Sequence, residues 1–98
     1  MTEPPVQFRL LGQFARGYLL QDLIPEYGDV MKAAKSYVSD LNSSDRKHLA
    51  TEAQGMLTIS REWSTAELNQ QLHRMGSAWT FVSNDEFEQV LRLFERGH

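Results

Sequence analysis

The chain has 98 residues, of which 41 % are hydrophobic and 23 % charged, with no cysteine and a formal net charge of −3. These are ordinary globular values for one small domain spanning 1–98, and a chain of this length buries roughly 60–70 % of its unfolded surface without needing disulfide staples. Thirteen acids against ten bases argue against a nucleic-acid surface, which needs clustered Lys and Arg, and leave room for a basic partner.

The opening "MTEPPVQF" is acidic and proline-bearing where a secretory signal needs bases and then an apolar run. No apolar run is long enough for a membrane span. The expectation is a cytoplasmic protein. Pro4 and Pro5 suit the start of a first helix. Leu11, Phe14, Ala15 and Tyr18 then recur at the spacing that places them on one helical face. Pro25 disfavours helix for Ile24 before it, so the first helix is expected to end near Gln21 and to be followed by a turn.

Asp29 is placed to cap the second helix with its side-chain oxygen, and Val30, Ala34, Tyr37, Val38 and Leu41 form that helix's apolar stripe. "NSSD", Asn42 to Asp45, is a turn and a cap together. A third helix follows with Leu49, Ala53, Met56 and Leu57 inward, and Gly55 inside it weakens it by about 1 kcal/mol relative to alanine. "STAE" reads as a capping box, Ser64 with Glu67, opening a fourth helix that carries Leu68, Leu72 and Met75. Gly76 fits the left-handed position past its end. "SNDE" repeats the capping pattern with Ser83 and Glu86. The last helix bears Phe87, Val90, Leu91 and Phe94 and stops at Gly97. Between these two helices "SAWTFV" alternates poorly and has no second strand to pair with. It reads as a connector that plugs Trp79 and Phe81 into the core. The fold class expected is all-α, a bundle of about five helices whose stripes bury one another.

Catalytic chemistry finds little purchase in these residues. The six glycines are scattered, so no phosphate-cradling loop is formed, and there is no Cys/His cluster. His48 and Glu52 stand four apart on the third helix, half of a metal site; a metal needs a third and fourth ligand, and the pair reads as surface polarity. His73 falls in the last turn of the fourth helix, where positive charge is favourable. His98 is terminal. Asp85, Glu86 and Glu88 are first-turn acids. No Ser or His spacing suggests an activated nucleophile. The expectations are no catalytic residue, no metal, no cofactor and no small-molecule substrate.

"LTISREWSTAELNQQLHRMG" has the cadence of a helix-turn-helix, with Asn69, Gln70 and Gln71 on the candidate reading helix and able to pair with adenine. Arg61 and Arg74 are nearly its only cations, too few for the phosphate contacts that supply most affinity. A small DNA-binding regulator is therefore the alternative reading. "GYLLQDLIPEYGDVM" offers another surface. Asp22, Glu26 and Asp29 lie close together without a local Lys or Arg. They read either as a solvated loop or as an acidic patch with Tyr27 as aromatic anchor, a combination suited to steering and holding a basic protein.

"YLLQDLIPEYGD", then "AAKSYV", "LATEAQGML" and "ELNQQLHRMG" together resemble the small helical immunity proteins of bacterial contact-dependent growth inhibition systems. The resemblance runs over residues 8–95. Its core is Tyr18, Gln21, Asp22, Tyr27 and Gly28 in that order, followed by helices with Ala34 and Tyr37, with Glu52, and with Gly76 at an end. Family members often place an aromatic residue after the Gln-Asp pair, where Leu23 stands here. The resemblance implies an immunity protein that binds the C-terminal toxin domain of its cognate system in the cytoplasm and neutralises it without turnover. It implies no particular toxin chemistry.

Overall fold

The computed structural model describes residues 8–21 and 23–96. The described residues form six helices and no strand: α1 Arg9–Gly17, α2 Leu23–Tyr27, α3 Val30–Ser39, α4 Ser43–Ser60, α5 Thr65–Arg74 and α6 Asn84–Arg96. The all-α expectation holds, with one helix more than expected. The helix-starting Pro4 and Pro5, the stop at Gly97 and the terminal His98 lie outside the described residues.

One core gathers every helix. The packing is α4 on α6, α6 on α3, α1 on α4 and α2 on α3. Phe14, Phe81 and Phe94 are the largest side chains fully shut off from solvent, with Leu10, Leu19, Leu23, Leu49, Leu68 and Leu91 around them. The apolar stripes explain this arrangement. On α6, Phe87, Val90, Leu91 and Phe94 are all buried at helical spacing. On α1 the buried face is Leu10, Leu11, Phe14 and Ala15, and Tyr18 at its end is half-buried.

The helix starts are capped largely as local sequence dictates. Asp29 accepts the Lys32 N–H at 2.8 Å, and Asn42 accepts that of Asp45 at 2.8 Å. Ser64 and Glu67 make the full reciprocal box. At Ser83 only half of the box forms. The Glu86 N–H donates to Ser83 Oγ at 3.2 Å, while Glu86 Oε1 is buried without a hydrogen-bond partner.

Two features depart from the expected chain path. The first helix ends at Gly17, four residues before Gln21, and a separate short helix α2 follows. At Leu19 the chain leaves the helical path: its N–H reaches the Phe14 carbonyl five residues back at 3.2 Å, and its carbonyl turns to the α5–α6 connector, accepting the N–H groups of Ala78 (2.7 Å) and Trp79 (3.0 Å). The second departure is that Ile24 is helical although Pro25 follows it. Pro25 falls in the first turn of α2, where a missing N–H breaks no intrahelical bond. Leu23 is fully buried beneath that turn, and the Gly28 N–H closes it onto the Ile24 carbonyl at 2.9 Å. Burial of one leucine outweighs the local bias before proline.

The connector "SAWTFV" behaves as expected. Phe81 is buried, and Trp79 is half-buried against the core. Asn69 on α5 holds it in place: its Oδ1 accepts the Phe81 N–H at 2.7 Å, and its Nδ2 donates to the Phe81 carbonyl at 2.9 Å.

Candidate functional site

Tyr18 packs against Tyr27 where α1 ends and α2 turns, and Glu26, Gly28 and Asp29 adjoin Tyr27 on the way into α3. A run of aromatic rings builds this corner from the inside out. Phe94 meets Phe14 edge-on with centroids 5.0 Å apart. Phe14 lies 5.8 Å from Tyr18, nearly parallel, and Tyr18 lies 5.8 Å from Tyr27. Tyr37 closes the group, 5.1 Å from Tyr18. Contacts of this kind add about 0.5–1.5 kcal/mol per pair beyond burial, so the corner is stiff.

Tyr27 is therefore half-buried, the outermost ring of a core stack. Part of the residue stays open to solvent. Beside it, Leu20 and Ile24 are the apolar residues that protrude, 37 % and 48 % exposed. Sequence reasoning passed over both because helical periodicity identifies what points inward and is silent on apolar residues in a connection.

The carboxylates divide by role. Asp29 is exposed and caps α3, where the partial positive charge of the helix start favours it. Glu26 is exposed, and the only ion pair among the described residues is Arg92 with Glu88 on α6. Asp22 lies outside the described residues. Asp40, at the far end of α3 from Asp29, accepts the Tyr18 hydroxyl at 2.8 Å. Gly28, at φ +92, turns the chain from α2 into the Asp29 cap. A local cation is also present, because Lys32 folds back over Gly28, its Nζ 3.6 Å from where a Cβ on that glycine would sit. The corner is acidic with one lysine inside it, and not free of counter-charge as the sequence suggested. Gln21 is exposed.

Burial, the Asp40 hydrogen bond and the charges of Asp40 and Tyr27 push the Tyr18 phenol up to about 12. Tyr37 is pushed up further, by burial first and then by the Glu52 charge. Its hydroxyl donates to the Leu10 carbonyl at 2.7 Å. Both phenols remain neutral hydrogen-bond donors at physiological pH.

The other candidates find structural employment. Glu52 turns its carboxylate onto the start of α1, accepting the N–H groups of Leu10 (3.1 Å) and Leu11 (2.9 Å). It is not the exposed surface partner of His48 that spacing suggested. Among the described residues no group of three or more His, Asp or Glu side chains gathers as a metal would require. Asn69 is buried and fully engaged with the connector and with the Thr65 carbonyl, which removes it from any base-reading role. His73 and Arg74 are exposed. A cleft of about 150 Å³ opens elsewhere, lined by Leu57, Ser60, Arg61, Leu68, Asn84 and neighbours on α6. It contains none of the residues of the acidic corner. Among the described residues no helix is long and apolar enough to cross a membrane.

Comparisons of the chain with family models, with curated proteins and with solved structures find no match.

Proposed function

We propose that the protein is an immunity protein of a contact-dependent growth inhibition system, acting in the cytoplasm as a stoichiometric inhibitor of a toxin domain. The observation that carries this reading is a convergence. Tyr18 and Tyr27 of the resemblance pack together, ring centroids 5.8 Å apart, and Tyr27 leads directly through Gly28 to the exposed Asp29, with Glu26 exposed on its other side. A stiff corner of exposed carboxylates is suited to steer and orient a basic partner.

Protection of a cell requires binding at nanomolar strength or better, about −12 kcal/mol. That strength demands a desolvated centre with charges around it. A toxin that cleaves nucleic acid has a cationic cleft, and Glu26, Asp29 and Asp22 would meet it as phosphates do. The chain itself carries out no turnover in this scheme.

The test is co-expression with the toxin domain encoded in the same locus. Survival of the host and co-elution as a one-to-one complex is the expected result. A host that dies despite folded, abundant protein overturns the reading.

A further inference from the structure

Among the described residues four large apolar side chains stand exposed: Leu20 and Ile24, four apart in the chain, and Ile59 and Val82. The last two occupy the end of α4 and the α5–α6 connector. Their neighbours in sequence, Arg61, Glu62 and Asp85, carry both signs and favour no class of partner. The first two sit on the turn into α2. This five-residue helix is anchored by one buried side chain, Leu23, and it holds an isoleucine 48 % exposed. Scattered apolar residues on a surface are commonplace, whereas an apolar patch with a polar rim marks a contact site.

Resting on the immunity reading, we infer that Leu20 and Ile24 form the docking centre for the toxin, and that the partner surface is an apolar depression bordered by Lys or Arg. Two observations carry this. The patch is rimmed on its α3 side by Glu26 and Asp29, both exposed, with Lys32 as the one cation beside Gly28, so the rim keeps a net negative charge, the complement of a basic border. The patch is held in advance of binding. Leu23 anchors α2 from below, the Gly28–Ile24 hydrogen bond closes it, and Tyr27 stacks on Tyr18 behind it, so little ordering remains to be done on association.

The chain has no cysteine, which makes a clean experiment possible. The toxin domain of the same locus is bound to wild type, to Leu20→Gln/Ile24→Gln and to Ile59→Gln/Val82→Gln. All four positions are exposed, and thermal melting confirms that each variant folds. The first double variant is expected to weaken binding by about 100-fold, chiefly through faster dissociation, and the second to stay within about threefold of wild type. In parallel, Ile24→Cys and Val82→Cys are labelled with a maleimide. Toxin is expected to slow labelling at position 24 by about tenfold or more and to leave position 82 unchanged. A Leu20→Gln/Ile24→Gln variant that binds like wild type, with no protection at position 24, overturns this docking surface and leaves the immunity reading standing. Wild type that binds no toxin overturns both. A chain that is dimeric alone and becomes monomeric in the Leu20→Gln/Ile24→Gln variant assigns the patch to a second copy and also overturns the proposal.

Discussion

Glu52, in the middle of α4, caps a helix that it does not belong to: both of its carboxylate oxygens accept backbone N–H groups at the start of α1, from Leu10 at 3.1 Å and Leu11 at 2.9 Å. That helix has no acid in its first turn and no side-chain cap of its own at Phe8. Removing the carboxylate leaves two part-buried donors without partners. Glu52→Ala is expected to cost about 2–3 kcal/mol of stability by urea unfolding, and Glu52→Gln less, since it keeps one accepting oxygen.

The same residue gives the molecule a pH signature. Burial raises the Glu52 carboxyl above its ordinary value of 4.5, overcoming the two backbone hydrogen bonds and the charges of Arg9 and His48, which pull the other way. A folded state with the higher pKa binds the proton more tightly than the unfolded chain. The contribution of this group is therefore fully present below the unfolded pKa and is lost as pH rises through the folded one. Relative to Glu52→Gln, wild-type stability is expected to rise as pH is lowered from about 7 to about 4. A difference that is flat or falls over that interval would contradict it.

Asn69 supplies the next prediction. It spans the Phe81 N–H and carbonyl in the manner of a neighbouring strand, which lets the irregular connector carry Phe81 into the core. Asn69→Ala strands both groups and is expected to cost about 3 kcal/mol or more. Asn69→Asp retains the acceptor and loses the donor, so it is expected to fall between wild type and Asn69→Ala in denaturant midpoint.

These two residues mark the boundary of what the sequence discloses. Caps at Asp29, Asn42 and Ser64 join groups three residues apart, so local order alone reveals them. The inward faces of α1 and α6 follow from helical period for the same reason. Glu52 and Leu10 are 42 residues apart, and Asn69 and Phe81 are 12 apart. Nothing near either residue marks it as half of a pair, and each looked like an ordinary exposed polar side chain. The short α2 was hidden by Pro25, whose local bias is real and is outweighed by the burial of Leu23. In the candidate site, the order of motif residues was readable, as were the Asp29 cap and the turn glycine. That Tyr27 stacks inward while Leu20 and Ile24 protrude depends on how α1, α2 and α3 meet, and no window of sequence contains that.

Gly76 and Arg16 form a third testable pair. Gly76 has φ +109, and a Cβ built there would run into the Arg16 side chain. Gly76→Ala therefore suffers twice, from backbone strain and from collision with Arg16. It is expected to lose about 2–3 kcal/mol of stability in wild type. In an Arg16→Ala background the collision disappears and only the backbone cost of about 1–2 kcal/mol remains. The double-mutant cycle should show a coupling of at least about 0.5 kcal/mol. Strict additivity would mean that the two residues do not interfere.

Separating the two roles of Asp29 tests the acidic corner itself. The residue caps α3 through an oxygen that asparagine also offers, and the two rank equally as caps. Asp29→Asn is expected to stay within about 0.5–1 kcal/mol of wild type, the difference being the lost charge at the helix start. Asp29→Ala, which loses the cap as well, is expected to be less stable still by about 1 kcal/mol. Toxin association provides the contrast. In Glu26→Gln/Asp29→Asn the fold is intact and two charges are gone, so association with a basic toxin domain is expected to slow by about tenfold at low salt. The remaining rate should depend less steeply on ionic strength, because screening acts only on charge that is present. Dissociation should change little, since rim charges act mainly on encounter. If stopped-flow kinetics instead show the same on-rate and the same salt slope as wild type, Glu26 and Asp29 do not guide the partner, and Asp29 serves α3 alone.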